Sequence, residues 1–135
     1  MILNATPHPI NIFRQEDCYY EGNQRKWFIK EDIKPIQVIK PSGRVLNAYT
    51  EYEILYCTGD NIPIWISNVF AIDNPADVFD LNPGDIIVVS RMYAEAHRKW
   101  IDKKSVSYKL ACICQPVYND IDNPRAIGCL GLEIV

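Results

Sequence analysis

The hydrophobic positions of this chain fall mainly into short runs, alternating or continuous, broken by glycine, proline and asparagine, which is the pattern of strands. Residues 2–5 and 10–14 predict two opening strands joined by the stiff segment Thr6-Pro7-His8-Pro9. Residues 18–20 and 27–29 flank Glu21-Gly22-Asn23-Gln24 and predict an aromatic-rich hairpin, read as an inserted flap. The run 33–39 predicts an edge strand, because Pro35 cannot donate to a ladder, and Pro41-Ser42-Gly43 ends it as a turn. Residues 44–49, 51–57 and 62–67 predict three further strands in a meander, the last two parted by Thr58-Gly59-Asp60-Asn61.

Residues 73–84 hold Asn74-Pro75 and Asn82-Pro83-Gly84 and predict a loop with one helical turn after Pro75. Residues 86–89 predict a buried strand. Ser90 then stands at an N-cap position before 91–100, a run of helix formers whose last turn is basic. The stretches 105–117 and 126–135 predict the last strands, joined by a polar, turn-rich loop. With no regular alternation of strands and helices to demand a parallel sheet, the expected fold is α+β and mainly β. Its sheet is mixed or antiparallel, a meander or partly closed barrel, with one covering helix over a single domain, 1–135.

Composition narrows the chemistry. The chain is 48% hydrophobic and 23% charged, an ordinary globular balance, with a net charge of −3. No block of Lys or Arg can track a nucleic-acid backbone, so duplex nucleic acid is not an expected partner, whereas a few arginines in one pocket could still hold a small anion. No apolar run approaches a membrane span and no signal peptide opens the chain, so a cytoplasmic location is expected. Cys18, Cys57, Cys112, Cys114 and Cys129 are odd in number and read as free thiols of a reducing compartment. Cys112-x-Cys114 could join Cys129, His8 or His97 around a metal, but the spacing departs from C-x-x-C, so neither metal nor cofactor is expected.

Six residues carry the candidate binding chemistry. Thr6 and His8 sit on a loop that two prolines preorganise. Ser90 and Arg91 place a hydroxyl, a guanidinium and free helix amides at a strand-to-helix junction, the physical recipe for an anion site. Arg44 and Arg125 each follow a turn and lead into a strand. Against this, Ser90 reads equally as a plain helix cap, and either arginine as a solvated edge charge. Trp27, Phe28 and Tyr93 are candidates to stack on a base or sugar. No nucleophile elbow, zinc-protease helix, P-loop or dinucleotide glycine pattern is present.

Asn4-Ala5-Thr6-Pro7-His8-Pro9-Ile10 resembles the Asn-x-Thr-Pro-His-x-Ile opening of a group of small phage and actinobacterial proteins. Pro41-Ser42-Gly43, Ile87-Val88-Val89-Ser90 with Ala94 and Ala96, and Arg125-Ala126-Ile127-Gly128-Cys129 resemble that group in the same order. The group often follows Gly-Cys with arginine, where this chain has Leu130. The resemblance implies a phage or prophage accessory protein, a class that includes sponges sequestering nucleotide immune signals. The leading expectation is therefore a non-enzymatic, homo-oligomeric protein that binds a small phosphorylated ligand, most simply a dimer. The alternatives are a phosphodiesterase-like enzyme using His8, and a structural or partner-binding phage protein.

Overall fold

In the computed structural model, which describes residues 1–135, short strands precede the one long helix and long strands lie on both sides of it. The elements are β1 (Ile2–Asn4), β2 (Ile10–Ile12), β3 (Cys18–Glu21), β4 (Lys26–Ile29), β5 (Gln37–Ile39), β6 (Ala48–Cys57) and β7 (Pro63–Ala71). Then follow α1 (Pro75–Val78), β8 (Ile86–Val88), α2 (Arg91–Trp100), β9 (Lys109–Tyr118) and β10 (Ala126–Ile134). The architecture is α+β and mainly β, as the hydrophobic pattern predicts.

Six strands lie side by side in the order β1-β8-β9-β10-β2-β5. A parallel bridge from Pro41, just past β5, back to Asn4 on β1 almost closes them into a barrel. Closure hides the edges that an open sheet would leave free. The sheet is mixed: β1, β8 and β9 run parallel, β10 lies antiparallel to β9 and parallel to β2, and β5 is antiparallel to β2.

Three details depart from the sequence reading. β8, α2 and β9 form one strand–helix–strand unit with parallel strands, because α2 supplies the crossover that parallel neighbours need. The β3–β4 hairpin is no loose flap, since Trp27 and Phe28 on β4 pair with Val117 and Tyr118 on β9. The middle of the chain is no meander either: β5 belongs to the barrel, while residues predicted as two strands merge into the long β6, which pairs only with β7 in a separate ribbon.

Alternation along β8 feeds two cores. Ile87 and Val89 pack with Tyr93 and Ala94 of α2 and with Leu110, whereas Val88 points the other way, into a cluster with Ile10 and Cys129. A third cluster of Phe13, Cys18 and Val117 lies under the β3–β4 hairpin. The helix is seated by its cap, for Ser90 Oγ accepts the amide of Tyr93 at 3.1 Å, and the Tyr93 hydroxyl donates to the Asp73 carbonyl. No helix is long and apolar enough to cross a membrane.

Candidate functional site

The strand directions place the candidate loops together. β1, β5, β8 and β9 all end, and β2 and β10 both begin, at the same end of the barrel. The Thr6–Pro9 loop, the turn before Arg44, the Ser90 cap and the turn before Arg125 therefore share that end. The register pairs Ile12 with Cys129, and Asn11 Nδ2 reaches the Ile127 carbonyl at 2.9 Å.

Asn4 organises the cluster, and the sequence reading missed it. Its side chain is fully buried at the barrel mouth. Nδ2 donates to the carbonyls of His8 at 2.8 Å and Ile39 at 3.0 Å, and Oδ1 accepts from the Thr6 amide at 3.0 Å and hydroxyl at 2.6 Å. Both donors and both lone pairs of the amide are used. Backbone bonds from Ser42 to Asn4 and from Leu46 to Ala5 tie the third loop on. The available signal was an asparagine two residues before Thr-Pro, an Asx-turn spacing.

Several predicted ligand groups are occupied by this scaffold. The Thr6 hydroxyl serves Asn4, Ser90 caps α2, and the Arg91 guanidinium is ion-paired with Glu133 on β10. His8, Arg44 and Arg125 are exposed, and their side chains make no hydrogen bond or ion pair within the chain. Of the stacking candidates, Phe28 and Tyr93 are buried in cores, and Trp27 Nε1 donates to Gln115 Oε1 at 3.2 Å. Cys18, Cys112 and Cys129 are buried, Cys114 is half-buried and Cys57 is exposed; all five thiols are free. Burial pushes the Cys112 and Cys129 thiols up from their ordinary value, so they stay protonated and unreactive.

A second constellation lies beneath the C-terminal half of α2. A cavity of about 280 Å³ opens between the helix and the strands β9 and β10. Ala94, Ile101, Val106, Leu110 and Ile134 supply much of its apolar lining, and Arg98, Lys103, Lys104 and Lys109 also line it. A shallower cleft of about 520 Å³ shares Arg98, Ile101 and Lys103 with it and adds Arg91, Asp102 and Glu133. In the cavity wall His97 Nε2 lies 2.8 Å from the Tyr108 hydroxyl. Burial lowers the His97 pKa and raises that of Tyr108, so both rings are neutral near pH 7.

The charges of the chain are segregated. No Lys or Arg occurs between Arg44 and Arg91, a stretch holding Glu51, Glu53, Asp60, Asp73, Asp77, Asp80 and Asp85. Of the fourteen basic residues, seven lie from Arg14 to Arg44 and four, Arg98, Lys103, Lys104 and Lys109, line the cavity. Sequence reading credited the basic last turn of α2 to the helix dipole alone. The added Lys103, Lys104 and Lys109 come from a 3-10 turn and a strand whose approach only the fold creates. No known protein family, curated protein or solved structure matches this chain.

Proposed function

We propose that this protein binds a small phosphorylated ligand of the nucleotide class and sequesters it without turnover. One observation carries the reading: an apolar cavity and four cations occur at the same place. A ring can exchange water for Leu110, Val106 and Ile101, while a phosphate beside it meets Arg98, Lys103, Lys104 and Lys109. The adjoining cleft extends the space beyond a single ring. Four cations around one apolar opening exceed what a helix C-terminus needs for its dipole, which is typically worth about 0.3–1 kcal/mol.

The resemblance of the Asn4–Ile10 opening to phage proteins supports placing this activity in a phage accessory protein, with a nucleotide immune signal as ligand. The test is to incubate the purified chain with a nucleotide-signal mixture, wash, denature and analyse what is released. Intact nucleotide is expected. A cleaved product would favour a phosphodiesterase using His8, and no retained nucleotide would overturn the binding reading. A partner-binding role is favoured by a different feature, the exposed β6–β7 ribbon.

A further inference from the structure

The β6–β7 ribbon leaves the body with only its base anchored. Ala48 and Ala71 pack on the main core, and Phe70 stacks on Trp100 at 6.0 Å between ring centroids. The register then sorts the outer residues, because directly opposed residues share a face and successive ones alternate. One face carries Thr50 with Val69, Tyr52 with Ser67, Ile54 with Trp65, and Cys57 with Pro63. It holds no charged residue. The other carries Glu51 with Asn68 and Glu53 with Ile66, so both acids of the strands lie on one side.

The uncharged face is largely open. Tyr52, Ile54 and Trp65 are 68%, 51% and 54% exposed, and the half-exposed Met92 continues the strip where Thr50 Oγ1 meets its sulfur at 3.9 Å. Large side chains bury roughly 150–250 Å² each, so these four offer about 350–550 Å² per copy before Pro63, Ser67 and Cys57 are added. Two such faces together offer about 700–1,100 Å², around the roughly 1,000 Å² of total burial that a specific contact needs. An isolated two-stranded ribbon is only marginally stable in water, so its far half gains most from being covered.

We propose that a second copy of this chain covers the face. Two ribbons pack face to face about a two-fold axis, each laying Tyr52, Ile54 and Trp65 on the other. The closed, isologous arrangement fits an uncharged, self-complementary surface, and it keeps Glu51 and Glu53 of both copies on the outside, away from like charge. The proposal is independent of the ligand site.

Light scattering at about 100 µM, a concentration suited to a contact of this modest area, should give twice the 15.6 kDa chain mass. Trp65→Lys should weaken association by roughly tenfold or more, and Ser67→Arg, a change at an already exposed polar site on the same face, should do likewise should the first variant unfold. Glu53→Lys, on the opposite face, should leave the dimer intact. A monomeric wild-type chain at that concentration would overturn the proposal. So would a dimer indifferent to both same-face variants, or one lost with Glu53→Lys alone.

Discussion

His97 and Tyr108 form a buried pair, Nε2 to hydroxyl at 2.8 Å, in the wall of the cationic cavity. Burial favours the neutral imidazole, so the native chain binds this proton less readily than the unfolded chain, in which histidine titrates near 6.5. Below that pH the unfolded state holds more protons, and stability rises with pH. The stability tied to the neutral ring is therefore fully present above about 6.5 and is lost progressively as pH falls from there through the lower folded-state value. Thermal melts should show a midpoint that declines from pH 7 towards pH 5, and His97→Gln should flatten the upper part of that decline.

Asn4 predicts a second outcome. Replacing it with alanine removes the side-chain partner of the Ile39 carbonyl and of the Thr6 amide at the barrel mouth, while the His8 carbonyl keeps the Thr6 hydroxyl at 3.1 Å. Each unsatisfied buried group costs about 1–3 kcal/mol, and partial hydration of the exposed loop reduces the sum. Asn4→Ala should lower unfolding free energy by about 2–4 kcal/mol in urea titrations. Asn4→Asp should also destabilise, since a carboxylate cannot donate to either carbonyl.

Gly128 lies where β2 presses on β10. A methyl group there would fall inside contact distance of the Asn11 carbonyl oxygen and 2.6 Å from Phe13 Cε2, both near a bond that ties the Phe13 amide to Cys129. Because the first obstacle is backbone, it cannot rotate away. Overpacking of this kind typically costs about 1–3 kcal/mol, so Gly128→Ala should destabilise by at least the upper part of that range. Gly131→Ala, with open space around it, should be near neutral in the same denaturation assay.

Local pattern sufficed where the physics is local. Ser90 and the run 91–100 announced α2 because a cap and helix formers act within one turn, and β8 was legible as Ile-Ile-Val between breakers. Topology was not legible, because whether β5 joins the barrel or the ribbon depends on Gln37–Ile39 pairing with Ile10–Ile12 across many intervening residues. The Thr6–Pro9 loop reads as stiff from its two prolines, yet Asn4, whose side chain bonds Thr6 and His8, looks like an ordinary strand residue. The cavity was invisible for the same reason. Lys103, Lys104 and Lys109 are unremarkable until the turn after α2 brings them alongside Arg98.

Two positions for the ligand make opposite demands on mutants. In the loop-end site, His8, Arg44 and Arg125 would touch the ligand; in the cavity, Arg98 would. Arg98 is exposed at its head and lies between cavity and cleft, so its loss removes a charge-assisted donor without opening the core. Arg98→Ala should weaken nucleotide binding by about 1.5–3 kcal/mol, measured by calorimetry, with the melting temperature nearly unchanged. The double change Lys103→Glu with Lys104→Glu should weaken it further and flatten the loss with added salt, because screening then relieves repulsion at a partly exposed rim where it would otherwise weaken attraction. His8→Ala, Arg44→Ala and Arg125→Ala should leave affinity within about 0.5 kcal/mol of wild type, the usual range for surface substitutions. Binding lost with those three variants and retained with Arg98→Ala would move the site to the barrel end that Asn4 organises.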